Sequence, residues 1–269
     1  MDLEQKVKQT ISKYKLCGKK EKILVALSGG KDSAVVAYIL KKLGYNIQGI
    51  YIDLSVGNYS KKCLEAVRKL CENLEINLSV YNLKKEQGKN MKYFWIKNKK
   101  LNHCAVCGIF KKWILNKQSR KLNVKKIATG HNLDDEIQTF LMNIMKGAPE
   151  LSANIGPITK NFSDKKFIPR IKPLFFVPEK QIKKYAEKNK ISFVKGKCPY
   201  AEESLRIKIR ENLTKKLSDK QKQNLIKNFE KFLKRFREKK NQKINYCEIC
   251  GEPARKNICK RCGLAGVSG

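Results

Sequence analysis

Six consecutive residues, Ser28-Gly29-Gly30-Lys31-Asp32-Ser33, follow a short apolar run and precede a helix-compatible stretch. They read as the turn of a strand–loop–helix unit. There the backbone N–H groups and the positive end of the helix dipole converge on one anion, which makes the loop a phosphate cradle. The glycines admit close approach of a phosphate, Lys31 supplies charge, Ser28 and Ser33 supply hydroxyl donors, and Asp32 holds the loop or a Mg2+ ion. The spacing is neither that of a Walker A loop nor Gly-x-Gly-x-x-Gly.

A second segment, Gly130-His131-Asn132-Leu133-Asp134-Asp135-Glu136, also lies where a strand gives way to a helix. Its acids serve as helix N-terminal charges or, beside a phosphate site, as Mg2+ ligands and proton carriers. Two cysteine sets complete the reactive inventory. Cys247-x-x-Cys250 and Cys259-x-x-Cys262 form two knuckles that fill a tetrahedral Zn2+ with four thiolates, so the metal is structural. Cys104-Ala-Val-Cys107 has no partner pair nearby, and Cys198-Pro199 lies far downstream. Three thiolates suit a [4Fe-4S] cluster whose fourth iron stays open, yet spacing alone leaves a redox pair open and does not join Cys198 to the others. Cys63 and Cys71 read as core residues of a helix.

The elements that must position these groups alternate. Strands are expected at residues 22–27, 46–54, 76–83 and 125–129. Helices are expected at 33–43, 59–74, up to about 122, 134–145 and 178–188. This pattern predicts an α/β fold, a doubly wound parallel sheet with helices on both faces. Residues 1–21 form an N-terminal helix with Leu3, Val7, Ile11 and Tyr14 at helical spacing, and residues 22–200 form the nucleotide domain. Residues 201–240 form a basic helical region, in which Leu225, Ile226, Phe229, Phe232, Leu233 and Phe236 mark a buried face and Ser218 with Gln221 makes a capping box. Residues 241–269 form the zinc ribbon.

The 269 residues carry 60 Lys and Arg against 24 Asp and Glu, a formal charge of +36, and 41% are hydrophobic. That apolar share supports a real core and excludes wholesale disorder. The charge predicts a polyanionic partner, nucleic acid before membrane, because no apolar run approaches the roughly 20 residues of a membrane span. A polar N-terminus without the apolar core of a signal peptide predicts a cytoplasmic protein, whose ten cysteines are better metal ligands than disulfides. Lys256, Lys260 and Arg261 around the ribbon are consistent with RNA contact.

The loop Ser28-Gly29-Gly30-Lys31-Asp32-Ser33 resembles the PP-loop of the ATP pyrophosphatases, which cleave ATP between its α and β phosphates. With the segment Gly130 to Glu136, the central Cys pair, the later Cys-Pro and the terminal ribbon in order, the chain resembles the TtuA and TtcA group of tRNA 2-thiolation enzymes. The ribbon favours the branch of TtuA and the cytosolic thiouridylases. The resemblance implies that Ala26 and Gly130 approach the nucleotide, Ile52 meets the adenine, and Asp135 is catalytic. It implies that Cys104, Cys107 and Cys198 hold a [4Fe-4S] cluster and that Lys111, four residues after Cys107, is functional. It further implies tRNA as substrate, MgATP as co-substrate, a ubiquitin-like sulfur carrier or inorganic sulfide as donor, and a homodimer. One departure stands out: only Cys17 precedes the loop, where many TtuA-type proteins carry an additional metal knuckle. Two other readings remain on the sequence: a lysidine synthetase-like enzyme that adds an amine to an activated tRNA base, and a non-catalytic zinc-ribbon RNA-binding protein.

Overall fold

Along β1 (Ile23–Leu27, after helix α1, Leu3–Lys13), side chains alternate between two helical layers. Ile23, Val25 and Leu27 enter a core that also holds Leu3, Val7 and Ile11 of α1, whereas Leu24 packs with Ile50 and Ile127 on the other face. The computed structural model describes residues 2–159, 164, 166–196, 198–201, 205–237 and 245–266.

The chain continues through α2 (Lys31–Lys42), β2 (Ile47–Asp53), α3 (Gly57–Asn73), β3 (Leu78–Asn82), α4 (Leu83–Gln87), α5 (Met91–Lys97), α6 (His103–Lys121), β4 (Lys126–Ala128) and α7 (Leu133–Met145). The four expected strands are all present. A fifth, β5 (Arg170–Ile171), pairs with β4, and the order β3-β2-β1-β4-β5 is parallel throughout. The strand order reverses between β1 and β4, and the crevice beyond their carboxyl ends is where such sheets bind ligands. The Ser28 loop leaves β1 and the Gly130 segment leaves β4, so the topology brings the two motifs together.

Beyond the sheet come α8 (Glu179–Lys188), α9 (Leu205–Asn212) and α10 (Asp219–Arg237). A 3-10 turn at Thr214–Lys216 separates α9 from α10, so the last helix starts where the Ser218 box was expected. The Ser218–Gln221 box closes as expected, with Gln221 N donating to Ser218 Oγ at 3.3 Å and Ser218 N to Gln221 Oε1 at 2.8 Å. Ile226 is buried against α7 and Phe229 stacks on Phe140, but Phe232 departs from expectation at 42% exposed, meeting Phe140 only edge-on. The side chains of Leu233 and Phe236 and residues 238–244 lie outside the described part. Strands β6 (Asn245–Tyr246) and β7 (Pro253–Ala254) pair antiparallel ahead of α11 (Lys260–Ala265). Among the described residues no helix is long and apolar enough to cross a membrane.

Candidate active site

The loop between β1 and α2 is tied by its own hydroxyls. Ser28 N donates to Ser33 Oγ at 3.1 Å, Ser33 Oγ donates to the Gly30 carbonyl at 3.0 Å, and Gly30 N donates to Ser28 Oγ at 3.3 Å. No side chain caps α2, so its first-turn amides are left for an incoming anion. Gly29 has φ +83°, and a Cβ there would lie 2.7 Å from Cys63 Cβ, so only glycine fits. A Cβ on Gly130 would strike the backbone of Asp32 and Ser33, which places the second motif against the first.

The three acids of the second motif divide by helical rotation. Asp134 accepts from Lys222 Nζ at 2.7 Å and from Glu179 N at 2.8 Å, and Glu136 pairs with Lys172 at 2.8 Å. Both pairs are buried and structural. Asp135 turns into the cleft, closes the capping box with Asn132, and lies 3.6 Å from Arg206. Burial raises its carboxyl above the ordinary range, against the pull of Arg206. Asp32 is pushed up to about 6, chiefly by burial, with the charge of Asp135 adding to it. Two half-buried acids lining one cleft favour a cation between them. His131 is exposed, with Nδ1 2.9 Å from Thr129 Oγ1, and its crowded, cation-rich surroundings, Lys172 and Arg206 among them, lower its basicity.

Three partners of this cleft were not singled out from the sequence. Glu179 at the start of α8 takes Lys31 at 2.7 Å and Arg210 at 2.9 Å, and Arg206 reaches Asp135 from α9. The cleft, about 570 Å³, is lined by Gly30, Lys31, Asp32, Asp135, Glu179 and Arg210 among others. Arg206, Arg210 and Lys222, read from the sequence as part of a basic RNA-binding region, thus point inward. Their partners lie 31 to 88 positions away in sequence, and no local pattern announces them. Ala26 and Ile52 lie half-buried on β1 and β2, in one apolar group beside the crevice.

Cys104 and Cys107 occupy the first turns of α6 below the cap of Asn102, whose side chain accepts from Ala105 N. Cys104 is exposed, while Cys107 and Cys198 are half-buried. Burial pushes the Cys107 thiol up to about 11, opposed by the Lys111 ammonium one turn along the same face and by the Trp95 N–H. Cys198 acts electrostatically on Cys107 and on Cys63, and Lys111 does the same. The structure therefore brings Cys104, Cys107, Cys198 and Lys111 to one place, with Cys63 between them and the Gly29 turn. Among the described residues, only the ribbon thiols all lie within 4.8 Å of one another. The wider set of Cys104, Cys107 and Cys198 does not suit a single ion; it suits a cluster, in which each thiolate binds a different iron.

Cys247, Cys250, Cys259 and Cys262 do converge, with Cys250 Sγ 3.7 Å from Cys259 Sγ. A tetrahedral ion with bonds of about 2.3 Å to sulfur sets its ligands roughly 3.8 Å apart. The four-thiolate metal site has no open position. The ribbon packs on α5 and α6: Asn98 Nδ2 donates to the Leu264 carbonyl at 2.9 Å, Asn116 Nδ2 to Glu252 at 3.0 Å, and Arg120 pairs with Glu252. Arg261, considered above for RNA, instead lies over the Trp113 ring at 4.5 Å and donates to Gln87.

A family model described as PP-loop domain matches residues 1–217. The tRNA-5-methyluridine(54) 2-sulfurtransferase of Pyrococcus horikoshii is 38% identical over 98% of this chain and 84% of its own length. The tRNA 2-thiolation protein NcsA of Haloferax volcanii is 31% identical over 90% of this chain and 80% of its own. Among solved structures, the U34-tRNA thiolase NcsA from Methanococcus maripaludis with its [4Fe-4S] cluster superposes with a TM-score of 0.81 at 29% identity, covering 98% of this chain and 86% of that one. The chain belongs to the PP-loop family and, within it, to the tRNA 2-thiolation enzymes.

Proposed function

We propose that the protein is an ATP-dependent tRNA 2-thiouridine synthase working in the cytoplasm. The observation that carries this reading is Cys63. Its side chain abuts the Gly29 turn of the nucleotide loop while Lys111 and Cys198 act on its thiol, which supports a phosphate cradle and a three-cysteine site that adjoin through Cys63.

ATP binds with its phosphates on the uncapped amides of the first turn of α2, and Lys31 leaves Glu179 to neutralise them. Asp32 and Asp135 hold Mg2+, which relieves the repulsion that burial imposes on the two carboxylates. Arg206 and Arg210 stand at the same wall to take the pyrophosphate as it leaves. The uridine C2 oxygen attacks the α phosphorus, pyrophosphate departs, and C2 becomes open to a sulfur nucleophile. A C2–S bond then forms as the C2–O bond breaks, with its electron pair leaving on AMP, a far better leaving group than hydroxide. Lys111 offsets negative charge on the incoming sulfur. A [4Fe-4S] cluster on Cys104, Cys107 and Cys198, when bound, supplies an open iron position that holds sulfide near C2 and lowers the entropic cost of the encounter. Zn2+ in the ribbon is structural. The donor is a ubiquitin-like carrier's thiocarboxylate or inorganic sulfide, and a homodimer is the expected assembly.

The test is anaerobic. Cluster-reconstituted protein is incubated with unmodified tRNA, MgATP and sulfide, and the digested nucleosides are weighed by mass spectrometry. ATP-dependent 2-thiouridine is expected. AMP release with a different modified base, or tRNA binding without AMP or any new nucleoside, sinks the reading.

A further inference from the structure

Trp95 of α5 touches all three cysteine segments. Its ring packs tilted against His103, the neighbour of Cys104, with centroids 4.6 Å apart, and in the same way against Tyr200, two residues beyond Cys198, again at 4.6 Å. His103 and Tyr200 meet each other edge-on at 5.9 Å, which closes a three-ring group. Cys107, one turn further along α6 than His103, packs against the same buried group as the indole.

The indole itself is 5% exposed, and no protein acceptor satisfies its N–H at hydrogen-bond geometry. A buried donor is costly to leave unmade, and a neutral thiol is a poor acceptor. A thiolate bound to iron is a far better one, because charge on the acceptor strengthens and shortens the bond. Cys198 O accepts from Ala201 N in a local turn, and the Tyr200 ring is what reaches across to α5 and α6.

We infer that Trp95 is the positioning residue of the three-cysteine site: its ring sets the spacing of the Cys104 and Cys198 segments, and its N–H is the donor reserved for the Cys107 sulfur once that sulfur is a ligand. The inference rests on the cluster reading of these cysteines. It adds a tuning role, since hydrogen bonds to cluster sulfurs raise the reduction potential by stabilising the more negative reduced state.

Two variants separate ring from donor. Trp95→Phe keeps an aromatic face and removes the N–H; Trp95→Leu removes both. Each full-length chain is reconstituted anaerobically with iron and sulfide, then assayed for iron and zinc per chain, ATP affinity, and the cluster's midpoint potential by EPR-monitored titration. W95F is expected to load iron as wild type does with a lower midpoint potential, and W95L to lose at least three-quarters of its iron while zinc and ATP binding stay unchanged. W95L that loads iron like wild type overturns the spacing role, and W95F with an unchanged potential overturns the donor role. If W95L also loses zinc and ATP binding, it has failed to fold; Tyr200→Leu then decides the spacing role, which stands if this variant loses iron with zinc kept and falls if it loads iron like wild type. Wild-type protein that takes up no iron overturns the cluster reading itself and this inference with it.

Discussion

A Cβ built on Gly130 lands 2.6 Å from the amide nitrogen of Ser33, so the segments that end β4 and β1 are in direct backbone contact. Neither side can yield, because the clash is with main chain. Gly130→Ala therefore has to push the Gly130 segment off the phosphate loop, an overpacking cost of about 1–3 kcal/mol. The expected outcome by calorimetry is a loss of MgATP affinity of about tenfold. Wild-type affinity in this variant would mean that the two segments separate freely.

Asp32 gives the nucleotide site a pH signature. Its carboxyl titrates near 6 when folded and at the ordinary 3.8 when unfolded, so between these values the folded chain holds a proton that the unfolded chain lacks. The Asp32 contribution to nucleotide-free stability accordingly improves as pH falls from about 7 to about 4. MgATP binding needs the carboxylate and weakens over the same fall. Asp32→Asn should flatten both profiles, read as the variant's difference from wild type in thermal midpoint and in MgATP affinity across that range.

Metal in the ribbon should matter to the distant thiol site. Removing it by chelation, or by Cys250→Ser, forfeits folding energy on the order of several kcal/mol and frees α6 of its cover. Trp113, now packed under Arg261, is expected to shift its emission to the red, and thiolation to fall with it. Emission that does not move on metal loss would show that α6 is indifferent to the ribbon.

The lysines of α10 divide into two roles that mutagenesis can separate. Lys227 and Lys231 are exposed, whereas Lys222 is buried against Asp134. Charge reversal of Lys227 and Lys231 should weaken tRNA binding and reduce the slope of log affinity against log salt by about 1–2, without touching ATP affinity. Lys222→Ala should instead destabilise the fold by about 3–5 kcal/mol, because it leaves Asp134 buried and unpaired.

Much of this was legible in the sequence, for local reasons. The phosphate loop follows from glycines between a strand run and a helix, and the ribbon from knuckle spacing. The four main strands follow from short β-rich runs. β5 was missed as a strand because two residues beside Pro169 and Pro173 carry no periodicity. Glu179, Arg206 and Arg210 were missed for another reason: their partners are set by which strand ends adjoin, and a charge in a chain this basic does not announce its partner. Trp95 and Tyr200 likewise gain meaning only when α5, α6 and the Cys198 segment meet. The division among Asp134, Asp135 and Glu136 required the helix to be placed against Lys172 and Lys222.

The docking of the ribbon on α6 also bears on the order in which the chain becomes competent. The contacts Asn98–Leu264 and Asn116–Glu252 join residues 166 and 136 positions apart. Leu264 and Glu252 lie downstream of every residue of the nucleotide cleft, Glu179 and Arg210 included, so they are synthesised after it. A nascent chain can thus build the sheet and the phosphate loop well before the helix bearing Cys104 and Cys107 has its full packing. Nucleotide binding would mature first and sulfur chemistry last, only after the distal thiols have found their metal.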